Sequence, residues 1–402
     1  MKRNQLIVLG AIVVVLLSAV GYFLLRDDSG DGNRDFMSSQ KDPTVTPVGP
    51  EGIPIVNEDP REVLDRYVQW AQYPPHSRPL HAGMVDLLNP YEMDRPPVGV
   101  LQSPAQECTA GEDGAMRCQK PAVFSDVQCK MTPEAAISVG KGDFKITLKC
   151  MNKEGKNLAL ESIVSRVYRN LHRKDTPTLP PIGSGDKGTD GDAVSGDGIY
   201  TFLVRPTGQD WGDMFLEVDF TVGGMKHNQR TSWFSTPHSI AEFKDGSQDS
   251  IKDGHLVVTV PVMITKKGYY NFDANLQSAG GGEVKFISTS TLEGDYEPGA
   301  HTLEFQFWGK VIRDSGVDGP YMVTDIRGRR NNSPVTPSMV KKAMAENREI
   351  SGNHTEPLWE YMNVGRDYTT RQYRSDDFSQ EEWNSDEKAQ RIEFLKKQIE
   401  NE

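Results

Sequence analysis

Hydrophobic and polar residues alternate with a period of two through most of the middle of the chain. Phe144, Ile146 and Leu148 alternate with Lys145, Thr147 and Lys149, the pattern of a strand with one face buried. The same alternation runs through 198–206 and through 214–222, where Leu216, Val218, Phe220 and Val222 share a face. A second series follows the Gly- and Asp-rich loop 244–254. Leu256, Val258, Val260, Val262 and Ile264 form one face, and Tyr270, Phe272, Ala274 and Leu276 another; segments 283–292, 301–312 and 321–328 complete the series. Strands of this kind separated by turn residues predict two β-sandwiches, one over 100–243 and a smaller one over 250–330. Pro261 has no N–H to give to a ladder, so its strand is expected at an edge.

The two ends of the chain read differently. Residues 6–25 form an uninterrupted apolar run, preceded by Lys2 and Arg3 and followed by Arg26, Asp27 and Asp28. About 20 helical residues rise ~30 Å, the thickness of a bilayer core. A cleaved signal peptide has a shorter apolar core of about 7–15 residues. The run is therefore expected to be an uncleaved transmembrane signal-anchor through which the chain contacts the lipid bilayer. The basic flank places 1–5 in the cytoplasm. The expected location is the bacterial inner membrane, with a single pass and the bulk of the chain on the periplasmic or extracellular side. Residues 26–58, rich in Asp, Gly, Pro and Ser, are expected to be a flexible linker. In 59–99, Asp59 caps a short helix with Pro60 at its first position, and a Pro-rich segment then wraps over a neighbouring domain. The tail, 331–402, reads as irregular and helical. It has a helix over 336–347, then a capping-box pair, Ser379 and Glu382, ahead of a final helix with Ile392, Leu395 and Ile399 on one face. Trp359, Tyr361, Tyr368 and Tyr373 are expected to pin the tail onto the sandwiches; the alternative is a free tail that binds a partner.

A net charge of −12 argues against a general binder of nucleic acid, which needs excess Lys and Arg to neutralise phosphates. The four cysteines, Cys108, Cys118, Cys129 and Cys150, fall in one stretch without the close C-x2-C pairs of a structural zinc site. An even number in an exported segment reads as two disulfides. Of three pairings, Cys108–Cys118 and Cys129–Cys150 are favoured. The eight histidines, His76, His81, His172, His227, His238, His255, His301 and His354, contain no i, i+4 pair. G-x-S-x-G, H-E-x-x-H and G-x-x-x-x-G-K-[ST] are absent from the sequence.

The densest chemical feature is the turn-rich segment 183–202. Asp186, Asp190, Asp192 and Asp197 stand there among glycines, and carboxylates on such a turn can supply oxygen ligands to calcium. The competing and favoured reading is structural, with Asp side chains accepting from nearby backbone N–H groups while glycines take positive φ. The segment GDAVSGDGIYT, preceded by Asp186-Lys187-Gly188, resembles a signature of bacterial exported domains of the "choice-of-anchor X" type. Gly268, Tyr270, Ala274, Leu276, Phe307, Gly309, Ile312, Asp318, Gly319, Pro320 and Tyr321 match a recurring sandwich module of such proteins. The likeness covers about 130–380. It implies a mainly β fold with two tandem immunoglobulin-like sandwiches between the transmembrane helix and a short C-terminal helical tail. It carries no activity. The expected function is a membrane-anchored, non-enzymatic binding or scaffold protein of the bacterial envelope, with an envelope protein or a glycan as partner. The alternatives are an envelope-polymer hydrolase using a carboxylate pair and a calcium-stabilised adhesin.

Overall fold

The computed structural model describes residues 59–103, 106–110, 116–120, 123–169, 181–280, 282–346, 348 and 357–400; for 103, 106–110 and 116–120 it describes the backbone alone. The chain divides into two compact units, Met1–Val63 and Leu64–Glu402. Of the first, 59–63 are described. Asp59 accepts a hydrogen bond from the Arg61 N–H at 2.9 Å and so caps the helix Pro60–Trp70.

The second unit is mainly β, with sheets sharing cores in pairs. In the first pair, a five-stranded sheet has the spatial order Val98–Ser103, Val123–Pro133, Phe144–Met151, Ile199–Val204 and Gly183–Gly185. Its partner has the order Ile137–Val139, Met225–Thr236, Gly212–Val222 and Leu160–Arg169. Ile146, Leu148 and Phe202 from the first sheet and Leu216, Val218 and Trp233 from the second belong to one buried cluster. Burial alternates along Phe144–Met151 and along Gly212–Val222 as the sequence pattern requires. Cys129 and Cys150 are cross-strand partners in this core and form a disulfide. Cys108 lies opposite Cys118 in the backbone ladder of Gln106–Ala110 with Met116–Lys120; their side chains, and so the other favoured pairing, lie outside the described residues.

In the second pair, one sheet has the order Ser77–Pro79, Phe286–Tyr296, Gly268–Ser278, Tyr321–Asn331 and Trp359–Tyr361, and Tyr368–Thr369 also pairs with Tyr321–Asn331. The facing sheet is built on His255–Ile264, flanked by Gly299–Phe307 on one side and by Ala241–Phe243 and Gln248–Lys252 on the other. Tyr270, Phe272, Val258, Phe305 and Phe307 share its core. Segments from both ends of the chain thus complete one sheet.

Several expectations need correction. The fold class with an N-terminal transmembrane helix is not sustained: among the described residues no helix is long and apolar enough to cross a membrane. The longest, Asp386–Glu400, has 15 residues and is charged along its length, short of the about 20 apolar residues a span needs. The run 6–25, the cytoplasmic 1–5 and the linker 26–58 lie outside the described residues. The single-pass inner-membrane location drawn from that run falls with it, since no described element supports a membrane pass. Pro261 lies in a central strand rather than an edge one. Its carbonyl accepts from Lys244 N, so its nitrogen faces the gap between Ala241–Phe243 and Gln248–Lys252, where no ladder donor is needed. The final helix lies where the sequence places it, over Asp386–Glu400, but its cap is Ser385, accepting from Lys388 N at 3.1 Å, and the Ser379–Glu382 pair lies outside it. Ser379 instead docks through its own N–H to Gly254 O.

Candidate functional site

The acidic turn is assembled between Gly183–Gly185 and Ile199–Val204. Positive φ at Gly188, Gly191, Gly196 and Gly198 folds it tightly enough that Asp186, Asp192 and Asp197 each place an oxygen within 4.8 Å of the others. Asp190, exposed and itself at φ 55°, stands outside this group. The three carboxylates have backbone partners. Asp186 accepts from the N–H groups of Gly196, Asp197 (3.2 Å) and Gly198 (2.8 Å). Asp192 accepts from Gly188 N at 2.6 Å, and Asp197 from Ile199 N at 2.8 Å. These donors offset the negative charge locally, as a metal-free Asx-type turn requires. The remaining lone pairs fit a hard cation by donor type.

A second constellation lies in a cavity of about 810 Å³ between the loop 244–247 and the tail 363–368. Arg366 bridges its walls, donating to both oxygens of Asp245 at 3.0 and 3.2 Å. Burial, reinforced by the charge of Asp325, pushes the Asp367 carboxyl above its ordinary range. Asp325 sits at φ 50° and accepts from Asn275 Nδ2 at 3.2 Å. Asp367 lines this cavity, and a carboxyl raised by burial suits a general acid.

A third cavity, of about 460 Å³, opens beside the edge strand Ser77–Pro79. Its floor is apolar: Leu80, Ile287 and Val311 are buried. Trp70 and Tyr73 contribute aromatic rings. Trp70 is 49% exposed, whereas the Tyr73 hydroxyl donates to Asp314 Oδ2 at 2.9 Å. Burial first, and that hydrogen bond and charge second, push the Tyr73 phenol up to about 12. It therefore stays protonated and its ring stays in place. The sequence pattern missed this site because its walls come from positions far apart in the chain. The one available signal was Trp70, a large aromatic at the margin of the helix's apolar face.

The histidines do not converge on a metal-binding arrangement among the described residues. His255 stacks on Trp308 with ring centroids 3.7 Å apart, and His76 meets Trp308 and Trp383 edge-on. The Gly309 N–H donates to His255 Nδ1 at 3.0 Å, which requires that nitrogen to be unprotonated. Burial pushes both His76 and His255 below their ordinary range.

Tail residues bind both sheet pairs. Glu360, fully buried, accepts from Lys266 Nζ at 2.7 Å and from Arg330 Nη1 at 2.6 Å. Its neighbours reach the first pair: Trp359 O accepts from Trp211 Nε1 at 3.0 Å, and Tyr361 N donates to Thr236 Oγ1 at 3.0 Å. Lys266 also lies over the Trp211 ring, 5.3 Å from its centroid. Further on, Tyr368, Tyr373 and Arg371 all donate to the Asp249 carboxylate.

No protein-family model matches the chain, and no curated protein matches it. Among solved structures it is similar to a DUF4785 family protein from Legionella pneumophila, at 15% identity over 51% of this chain and 53% of that one, with a TM-score of 0.39. It is also similar to α-2-macroglobulin from Escherichia coli, at 11% identity over 55% of this chain and 17% of that one, TM-score 0.22. The Salmonella α-2-macroglobulin gives 8% identity, 55% and 17% coverage, and a TM-score of 0.22. The chain thus spans about half the length of the Legionella protein and far less of the macroglobulins. Likeness this remote leaves fold and function to the chain's own geometry.

Proposed function

We propose that this chain is a non-enzymatic binding protein that holds two sheet pairs as one rigid platform for a protein or glycan partner. The supporting observation is the joint at Trp359–Tyr361. One short strand extends the second sheet pair, buries an ion-paired carboxylate there, and hydrogen-bonds the first pair on either side of it. A joint fixed in this way lowers the ordering cost of presenting a surface made from both pairs. Crosslinking of the native protein followed by mass spectrometry tests the reading. The expected result is a reproducible partner recovered chemically unchanged; conversion of the partner to product contradicts it.

A second reading, a hydrolase, is favoured by the place of Asp367 in the lining of the cavity of about 810 Å³, where burial raises its carboxyl. It predicts turnover of a polymer that Asp367→Asn abolishes. Release of reducing ends or free peptides by the wild type, lost in that variant, would establish it in place of the binding reading.

A further inference from the structure

We propose that the cavity walled by Trp70, Tyr73 and Asp314 is a saccharide-binding site that takes a pyranose-type sugar. The inference rests on the binding-protein reading above and narrows its partner to a glycan. A pyranose ring has two kinds of surface, an apolar C–H face and a rim of hydroxyls that both donate and accept. The cavity offers a complement to each. Trp70 and Tyr73 line the cavity together with the buried Leu80 and Ile287, and aromatic rings gain much from covering apolar area. Gln69 and Gln72 line the same cavity, and each side-chain amide carries a donor and an acceptor in one plane, as adjacent hydroxyls require. At about 460 Å³ the cavity is of the size that small ligands occupy, roughly 300–1,000 Å³.

Two further observations separate a sugar from other occupants. The Asp314 carboxylate is matched by Lys310, whose Nζ lies 3.2 Å away, and Lys285 adds a cation to the lining. A quaternary ammonium ligand wants aromatic faces without a competing cation, so the charge pattern disfavours a cationic ligand. An extended peptide would add to the open edge of Ser77–Pro79, but Pro79 has no N–H to donate there. The Tyr73–Asp314 hydrogen bond holds the ring before the ligand arrives, which reduces the ordering cost of binding.

The test uses the full chain with soluble hexasaccharides of β-1,4-glucose, α-1,4-glucose and β-1,4-N-acetylglucosamine, and choline as a counter-probe. Tryptophan fluorescence and saturation-transfer NMR report binding, and chromatography reports the length of the recovered sugar. At least one hexasaccharide is expected to bind and to be recovered intact. Trp70→Ala and Asp314→Ala should each weaken it by about tenfold, near 1.4 kcal/mol. Tyr73→Phe keeps the ring but frees it from Asp314 and should weaken binding about threefold, a loss that a conserved melting profile separates from misfolding. Binding unchanged in all three variants overturns the site while leaving the binding reading intact. Binding of choline alone, or of none of the probes, overturns the saccharide inference, and the binding reading then stands or falls on its crosslinked partner. A bound but shortened hexasaccharide overturns the non-enzymatic reading itself.

Discussion

Asp186 accepts three consecutive backbone N–H groups, from Gly196, Asp197 and Gly198, and this explains a turn the sequence marks only as acidic and glycine-rich. Asp186→Ala strands those donors and is expected to cost roughly 2–3 kcal/mol. Asp190→Asn, at an exposed left-handed position that Asn also adopts, should stay within about 0.5 kcal/mol. Thermal denaturation checks both. Because the carboxylates already have amide partners, calcium or EDTA is expected to leave the melting temperature unchanged; a calcium-dependent rise would instead reveal a bound ion, since a ligand of the native state alone must stabilise it. A different carboxylate governs the tail. Burial alone would raise Asp249, but hydrogen bonds from Tyr368, Tyr373 and Arg371 outweigh it and hold the carboxyl below its ordinary range. Its contribution is fully present above the unfolded value near 3.9 and is lost as pH falls through the lower folded value. Proteolysis at Arg371 should therefore accelerate only below about pH 4. Acceleration at neutral pH would show that the latch does not hold. In the acidic turn, the four aspartates were legible in the sequence as a group. The separation of Asp190 from the other three was not, because it depends on which way each turn residue's backbone folds.

At the scale of elements, the strands were legible wherever one face is buried and the other wet. Phe144, Ile146 and Leu148 announce such a strand, and burial follows their alternation. Pairing was not legible. Nothing in Ser77–Pro79 or Trp359–Tyr361 indicates the edges they occupy, since three-residue strands show no periodicity and their partners lie far along the chain. Pro261 departs from its expected edge position for a related reason: a gap between two short flanking strands forms an edge inside a sheet. The Cys129–Cys150 bridge joins adjacent strands within the first core. Replacing both cysteines by Ala is expected to cost about 2–5 kcal/mol, read as a lower denaturant midpoint, with a slope that rises slightly because the unfolded chain loses its crosslink. The strand Trp359–Tyr361 depends on Glu360. Glu360→Ala leaves Arg330, itself largely buried, without its carboxylate and should cost about 3 kcal/mol, checked by urea denaturation.

Over the whole second unit, two sheet pairs with separate cores are tied through a C-terminal segment that belongs to both. That arrangement gives the tail a structural role. The tail aromatics indicated docking in the sequence, whereas the membrane-spanning helix expected at the other end has no counterpart among the described residues. The proposed binding platform requires a rigid joint at Trp359–Tyr361. Native-state hydrogen exchange at two amides tests it most directly: Tyr361, which donates to Thr236 Oγ1, and Met362, which donates to Gly328 O. With a rigid joint, both exchange as slowly as the neighbouring strand Tyr321–Asn331, and Glu360→Ala accelerates them selectively. Exchange at the rate of an open loop in the wild type would contradict it, because the two sheet pairs would then be tethered rather than joined.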